Sequence, residues 1–170
     1  MAEAEREARL TGWVRTYSDA LLRLCFLQLR DYALCEDALQ ETFIKAWRAM
    51  PKYEHGGIQN DRAWLCRIAL NVCHDIQRSR WMRHVDAARA LESLPPALFA
   101  VEPEDRTLLL DVMNLPEKFR EVILLYHYQR LSMRDIAQVL HIDVSTVHAR
   151  LKKAEGLLKQ VLTEEVDGHE

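Results

Sequence analysis

The stretch LSMRDIAQVLHIDVSTVHARLKK, residues 131–153, decides the fold of the C-terminal half of the chain. Ser132 is a good N-cap residue, and Asp135 three positions later completes a start that resembles a capping box. An apolar face follows at helical spacing, formed by Ile136, Ala137 and Leu140. We therefore predict a helix over residues 132–140.

A turn and a second helix follow this first helix. His141 occupies the turn, and His is one of the non-glycine residues that tolerate a positive φ. Asp143 or Ser145 can cap the next helix, predicted over 144–163, in which Val147 and Leu151 point inward. Two short helices joined in this way form a helix-turn-helix, whose second helix enters the major groove of DNA. The simpler alternative is an ordinary helical hairpin.

The composition favours a helical fold. The chain has 170 residues, 49% of them hydrophobic, with only five Gly and five Pro. Strict apolar–polar alternation is absent, so we predict an all-α fold of two small helical domains joined by a flexible linker. No apolar run is long enough to cross a membrane, and the charged N-terminus does not resemble a signal peptide. We expect a cytoplasmic protein that does not insert into membranes.

Three helices are predicted in the N-terminal half, over residues 4–30, 33–50 and 62–83. Gly12 is a possible break in the first of them. Pro51 is expected to end the second, because proline cannot donate to the helix ladder. Asp61 is expected to cap the third.

A proline-containing acidic segment separates the two halves. The predicted divisions are a first domain over 1–84, a linker over 85–105 and a second domain over 106–165. A short helix over 86–93 is possible within the linker. The second domain begins with predicted helices over 104–113 and 116–129, and Pro116 lies in a helix first turn, as proline prefers.

The net charge of −3 hides an uneven distribution of charge. Residues 62–83 contain five arginines and one acid, Asp75, while residues 150–159 contain four cations and one acid, Glu155. Neutralisation of phosphates supplies most sequence-independent affinity for nucleic acid. Basic segments in an acidic chain therefore predict weak binding to DNA by the protein alone.

The four cysteines, Cys25, Cys35, Cys66 and Cys73, all fall within predicted helices, and none forms a CxxC pair. We expect buried thiols without a metal or cofactor role. A zinc or redox site at Cys66 and Cys73, next to His74, is the alternative.

Three segments carry a family resemblance. They are CEDALQETFIKAW (35–47), RAWLCRIALNVCHDIQR (62–78) and the region 115–154, which contains the helix-turn-helix. In this order they resemble the extracytoplasmic-function sigma factors, the small two-domain group of bacterial sigma factors. The resemblance implies a non-catalytic subunit that binds core RNA polymerase and recognises the −10 and −35 promoter elements.

The resemblance also assigns residues to each surface. Core polymerase is expected to contact Asp37, Gln40, Glu41, Phe43, Lys45 and Trp47. The −10 DNA is expected to contact Tyr53, His55, Trp64, Arg67, Asn71, Asp75, Arg78, Arg80 and Arg83. The −35 DNA is expected to contact Ser145, Thr146, His148, Ala149, Arg150, Lys152 and Lys153. An anti-sigma factor is the further partner that the family implies, and no cofactor, metal or small-molecule substrate is expected.

A stand-alone helix-turn-helix regulator with an N-terminal sensing domain is the alternative function. The two hypotheses differ in the helix over 35–47, because a stand-alone regulator needs no surface for polymerase. An enzyme has little support, since no nucleophile–base pair, phosphate-binding loop or metal-ligand spacing is recognisable in the sequence.

Overall fold

The computed structural model describes residues 1–53, 57–79, 86–92 and 103–167, the last range with side chains from 105 to 160. Its helices are α1 (Glu3–Leu29), α2 (Tyr32–Tyr53), α3 (Asp61–Ser79), α4 (Ala87–Glu92), α5 (Pro103–Asn114), α6 (Glu117–Ile123), a π-helical turn (Leu124–Tyr128), α7 (Met133–Leu140) and α8 (Val144–Asp167). These ranges contain no strand, and the predicted all-α fold is confirmed. None of the helices described combines the length and apolarity needed to span a membrane.

The chain divides into an N-terminal unit, Met1–Leu98, and a C-terminal unit, Phe99–Glu170. In the N-terminal unit, α1, α2 and α3 pack on one another. Their shared core includes the buried side chains Leu21, Leu24, Phe26, Ala38, Ala46, Leu65 and Ala69. The short α4 lies within the predicted linker and buries Ala87 and Ala90, so this part of the linker is helical.

The predicted break at Gly12 is wrong, because α1 continues through it to Leu29. A glycine inside a helix costs only about 1 kcal/mol relative to alanine, less than the burial along such a long helix contributes. The helix ends at Arg30, which has a left-handed conformation (φ 56°) and donates its backbone N–H to Phe26 O at 2.8 Å. Asp31 then begins α2 by accepting a hydrogen bond from the backbone N–H of Leu34 at 3.0 Å.

The predicted end of α2 at Pro51 is also wrong, since the helix continues to Tyr53 with Pro51 in its last turn. Proline cannot donate to the carbonyl four residues earlier, which here belongs to Trp47. The guanidinium of Arg6 supplies that donor instead, from Nη2 to Trp47 O at 2.8 Å. The Arg6 guanidinium also lies 4.2 Å from the centre of the Trp47 ring. Helix α1 therefore compensates for the proline in α2.

Asp61 does not cap α3, contrary to the prediction. Asn60 has this role, since its Oδ1 accepts a hydrogen bond from the backbone N–H of Ala63 at 3.3 Å. Asp61 is the first residue of the helix, and its carboxylate binds side chains of α1 and α2 instead.

The C-terminal unit contains the predicted helix-turn-helix. Ser132 Oγ accepts a hydrogen bond from the backbone N–H of Asp135 at 3.1 Å, so the predicted cap is confirmed. His141 has φ 55° and ψ 46°, which confirms the left-handed turn. Helix α8 begins after Asp143, whose carbonyl accepts from the backbone N–H groups of Thr146 and Val147. Helices α7 and α8 pack together with Ile136, Ala137, Val147 and Leu151 buried.

The helix predicted over 116–129 is regular only as far as Ile123. The next five residues form a π-helical turn, in which the backbone N–H of Gln129 donates to Leu124 O at 2.9 Å. The wider turn leaves Leu124, Leu125 and Gln129 buried while the aromatic residues between them remain exposed. Regular α-helical spacing does not produce this pattern, which explains the wrong prediction.

All four cysteines are reduced and buried within the N-terminal unit, as predicted. A hydrogen bond between the Cys25 and Cys73 thiols, together with burial, raises the pKa of Cys25. Burial raises the pKa of Cys35 to about 12 and that of Cys66 to about 12. These values favour the thiol over the thiolate, which is the form that binds metals and reacts.

Candidate polymerase- and DNA-binding surfaces

The outward face of α2 carries the residues predicted to bind polymerase. Its inward face buries Cys35, Ala38, Thr42, Ala46, Met50 and Tyr53. On the outward side, Asp37 and Gln40 are exposed, whereas Glu41 and Lys45 are half-buried. Phe43 and Trp47 are half-buried at the edge that faces α1.

Ile44 lies at the centre of this outward face. At 100° per residue it is opposite the buried positions Thr42 and Ala46, and it remains 44% exposed. Polar groups of Asp37, Gln40 and Arg48 surround it on the helix surface. An apolar centre within a polar rim is the usual anatomy of a protein–protein interface. Ile44 is not among the residues that the family resemblance assigns to the polymerase surface, although helical spacing places it opposite the buried residues.

An open apolar groove of about 500 Å³ adjoins Ile44, between α1 and α2. Leu10, Phe43, Ile44 and Trp47 line it, with the charges of Glu7 and Arg48 at its edges. Trp47 is held in this groove by Arg6, through the stacking and the backbone hydrogen bond described above. The Trp47 side of the groove is therefore held in place by Arg6.

The surfaces predicted for polymerase and for −10 DNA meet at Asp75. Its Oδ1 accepts from Arg78 Nη2 at 2.6 Å, and its Oδ2 lies 3.6 Å from Lys45 Nζ on α2. The hydrogen bond from Arg78 and the charge of Lys45 lower the pKa of Asp75 below its ordinary value. Two open grooves of about 400 Å³ each share Lys45 and Asp75, and one of them includes Asn71.

The other −10 residues differ in exposure. Asn71 and Arg78 are exposed on α3, and Arg67 is half-buried. His55, Arg80 and Arg83 lie outside the described residues. Tyr53 is only 5% exposed, so its side chain is part of the packed unit and does not present a free ring to DNA.

Tyr53 belongs to an aromatic cluster at the start of α3. Its ring centre is 4.4 Å from that of Trp64 and 5.9 Å from that of Trp13. The Tyr53 hydroxyl donates to Asp61 at 2.5 Å, and Trp13 Nε1 donates to the same carboxylate at 3.0 Å. Arg9 lies 3.4 Å from Asp61 and stacks 4.8 Å from the Tyr53 ring centre. Asp61 thus joins α1, α2 and α3 beside the segment that leads into α3.

We expect Asp61→Asn to lower the free energy of unfolding of the N-terminal unit by about 1–2 kcal/mol, because one charged acceptor serves three donors. The expected loss of stability is small because the Asp61 side chain is 35% exposed, and solvent screens its charge. All four tryptophans lie at positions 13–81, so tryptophan fluorescence during urea unfolding reports on this unit. Asp19→Asn, at an exposed carboxylate of α1, is the control and should leave stability unchanged.

The difference in free energy of unfolding between wild type and Asp61→Asn should depend on pH. Burial alone would raise the pKa of Asp61, but the hydrogen bonds from Tyr53 and Trp13 and the charge of Arg9 lower it overall. The stabilisation is therefore complete above the unfolded-state pKa of about 3.9 and is lost as the pH falls through the lower folded-state pKa. The gap between wild type and Asp61→Asn should be constant above about pH 5 and shrink in acid. If the stability difference between wild type and Asp61→Asn stayed the same even at the lowest pH at which the unit folds, the ionised Asp61 carboxylate would not be the source of the stabilisation.

The outer face of α8 presents the residues predicted for −35 DNA. Val147, Leu151 and Ala154 are buried on the opposite side. Ser145, His148, Ala149, Lys152 and Lys153 are exposed, whereas Thr146 and Arg150 are half-buried. Lys153 Nζ lies 5.8 Å from the ring centre of Phe119 on α6, which orients its charge.

Glu155, the one acid within residues 150–159, has a partner that the sequence does not indicate. Its Oε1 lies 3.0 Å from His127 Nε2 in the π-helical turn. The two residues are 28 positions apart, so no local pattern indicates the contact.

Family models match both units of the chain. The family model "Sigma-70 region 2" matches residues 13–83, and "Sigma-70, region 4" matches residues 112–158. The first match covers α1 from Trp13 onward together with α2 and α3, and the second covers the helix-turn-helix. A match to both regions decides against a stand-alone helix-turn-helix regulator.

Relatives match along most of the chain. The ECF RNA polymerase sigma factor SigW of Bacillus subtilis is 31% identical over 163 residues, covering 88% of this chain and 86% of SigW. The RNA polymerase sigma-H factor of Pseudomonas aeruginosa is 30% identical over 166 residues, covering 88% and 83%.

Solved structures share the fold. CnrH in complex with the cytosolic domain of CnrY matches with TM-score 0.70 and 25% identity over 93% of this chain and 90% of CnrH. RpoE in complex with the anti-sigma factor NepR from Bartonella quintana matches with TM-score 0.73 and 21% identity over 90% and 96%. With both regions matched in order and SigW aligned over most of its length, the chain belongs to the extracytoplasmic-function (ECF) RNA polymerase sigma factors.

Proposed function

We propose that this sigma factor docks on core RNA polymerase through the outward face of α2, reads the −10 element with α3, and reads the −35 element with α8. The observation that carries this assignment is the continuous surface of the N-terminal unit, where the docking face of α2 meets the cations and amide of α3 at Asp75. A factor that holds polymerase and promoter at once needs such adjoining surfaces.

The docking face combines an apolar centre with hydrogen-bonding groups. Ile44 and the neighbouring groove at Phe43 and Trp47 offer apolar area, while Asp37 and Gln40 offer exposed acceptors and donors. Such a surface fits a helix that carries both apolar and basic side chains, packed in the manner of helix pairs.

The −10 surface is assigned to α3 through Asn71, Arg67 and Arg78. An asparagine amide can pair with a base edge as donor and acceptor, and arginines bind phosphates. Tyr53 contributes differently from the sequence-based expectation, since its ring is buried beside that of Trp64. Both residues support the start of α3 through the cluster at Asp61, and thereby position the residues that touch DNA.

The −35 surface is assigned to the exposed start and middle of α8. Lys152 and Lys153 are point charges that favour guanine acceptors and phosphates. His148 and Ala149 occupy positions of α8 that are expected to contact −35 bases. These two side chains should therefore decide which −35 sequence the protein prefers.

Lys152→Ala is expected to weaken promoter binding by the assembled holoenzyme about 5-fold, and to lower the slope of log affinity against log salt by about one. The probe is a duplex selected by the holoenzyme from a pool with randomised −35 and −10 elements, and binding is measured by fluorescence anisotropy. Lys159→Ala, an exposed cation about two turns further along α8, is the matched control. Equal losses of promoter affinity in Lys152→Ala and Lys159→Ala would mean that Lys152 acts only through the overall charge of the helix and makes no specific contact with the −35 element.

The family and its partners suggest a regulator. The relatives CnrH and RpoE were each captured with a second protein, CnrY in one case and the anti-sigma factor NepR in the other. We propose that an anti-sigma factor likewise holds this chain until a signal releases it. The site of action is the cytoplasm, where polymerase works, and the activity is binding without catalysis.

Binding of the full-length wild-type chain to purified bacterial core polymerase tests the proposal. The expected result is a one-to-one complex on gel filtration that is stable at physiological salt. Failure to form any complex with a correctly folded chain would refute the assignment of α2.

A further inference from the structure

We propose that Asp75 lowers sequence-independent binding of the free protein to DNA, because it neutralises Lys45 and Arg78. This inference rests on the proposed function, since it assumes that α3 faces the promoter. It changes the expectation for Asp75 from a direct contact with −10 DNA to an internal competitor of the phosphates.

The geometry of Asp75 supports this role. Each of its carboxylate oxygens faces a different cation, with Arg78 Nη2 at 2.6 Å and Lys45 Nζ at 3.6 Å. Arg78 lies one turn further along the same helix, whereas Lys45 lies on α2. The carboxylate therefore bridges two helices at the surface where DNA is expected.

All three groups are accessible to a ligand. The exposed fractions of the side chains are 75% for Arg78, 56% for Asp75 and 43% for Lys45. A DNA phosphate and the Asp75 carboxylate offer the same kind of oxygen acceptor to the same N–H donors. A phosphate must therefore displace Asp75 from Arg78 or bind beside a negative charge, and both alternatives weaken binding.

The charge pattern indicates why this matters. Asp75 is the only acidic residue among five arginines between positions 62 and 83. Without it, these cations would bind any phosphate backbone with steep salt dependence. A penalty on the phosphate contacts of Lys45 and Arg78 lowers the affinity of the free protein for all DNA sequences alike, so that stable binding requires base contacts and polymerase in addition.

The test compares Asp75→Asn with the wild-type full chain, in the absence of polymerase, on a 30-nucleotide oligo-dT strand. We expect Asp75→Asn to bind about fivefold more tightly at low salt, with a steeper salt dependence by about one counterion. Asp19→Asn makes the same change in net charge on α1 and is the matched control, with affinity expected within twofold of the wild type. The isosteric change lies at an exposed side chain, and circular dichroism checks the fold.

The outcomes separate this inference from the proposed function. An Asp75→Asn variant that binds oligo-dT no better than Asp19→Asn, or more weakly than the wild type, would overturn the competitor role. Binding of the wild-type chain to core polymerase is measured in parallel. A chain that fails to bind polymerase but gains oligo-dT affinity in Asp75→Asn contradicts the proposed function while it supports the inference.

Discussion

An Ile44→Lys variant is expected to bind core RNA polymerase about 100-fold more weakly than the wild type. A central apolar side chain of an interface typically contributes 2 kcal/mol or more, and every 1.4 kcal/mol corresponds to a factor of about ten. The lysine also places a charge where the partner is expected to exclude water, which adds a desolvation cost. The measurement is a fluorescence titration of labelled full-length chain with core polymerase.

The control for this prediction is Ile44→Val, which keeps the apolar character and should bind within about threefold of the wild type. Because Ile44 is 44% exposed and does not contribute to the packed core, neither variant should unfold the N-terminal unit. Tryptophan fluorescence and circular dichroism verify this point. An Ile44→Lys variant that is folded and binds polymerase normally would exclude Ile44 from the docking face.

Arg120→Met is expected to destabilise the C-terminal unit by about 2–4 kcal/mol. Arg120 is only 8% exposed, and its Nη1 donates to Met113 O and Leu115 O at 3.3 Å each, where α5 turns into α6. Methionine fills similar space but leaves both buried carbonyls without this donor, and each unsatisfied acceptor costs about 1–3 kcal/mol. Helix α6 packs on α8, so the loss should reach the helix-turn-helix.

Amide hydrogen exchange of the full chain, followed by mass spectrometry, measures this effect within the C-terminal unit alone. A loss of about 3 kcal/mol corresponds to exchange roughly 100-fold faster in the most protected amides of α6 and α8. Arg134→Met makes the same chemical change at an exposed position of α7 and should alter exchange by less than threefold. Equal protection in Arg120→Met and the wild type would show that the two carbonyl contacts are dispensable.

Local chemistry made the helix-turn-helix predictable. The cap at Ser132 and the left-handed turn at His141 depend on residues within a few positions of each other, and both were confirmed. The helices of the described residues follow in the same way from the spacing of apolar residues along the sequence. At two of the positions where the prediction was wrong, a distant residue had replaced a local partner.

Pro51 and Asp61 illustrate this limit. Pro51 remains in α2 because Arg6, 41 residues before Trp47, donates to the carbonyl that the proline leaves open. Asp61 forgoes the capping role because Trp13, 48 residues earlier, and Tyr53 bind its carboxylate. Neither of these hydrogen bonds can be predicted from the local sequence, because both form only when the helices pack together.

The candidate sites were predictable to a similar extent. The polar positions on α2 and the outer face of α8 followed from helical spacing and family resemblance, and they remain predictions to be tested by binding. Tyr53 is expected from the family resemblance to contact −10 DNA, but its side chain is buried against Trp13 and Trp64 and supports the start of α3. The ion pair of Asp75 with Lys45 and the hydrogen-bond contact of Glu155 with His127 join separate elements, so neither could be predicted from the sequence.

The two acidic partners also bear on the low net charge of the chain. Asp75 on α3 and Glu155 on α8 each lie among cations of their own helix and contact a basic side chain on a neighbouring element. The free protein should therefore bind promoters weakly, and both surfaces should become effective only when polymerase holds them over the same DNA. In that complex the second contact forms at high effective concentration.

Run-off transcription tests this account most directly. Core polymerase is combined with the full-length chain on a duplex selected from the randomised promoter pool, and on duplexes in which either the −35 or the −10 element is scrambled. We expect a transcript that requires the chain and whose yield falls at least tenfold when either element is scrambled. A transcript of equal yield from core polymerase alone, or one indifferent to both elements, would contradict it.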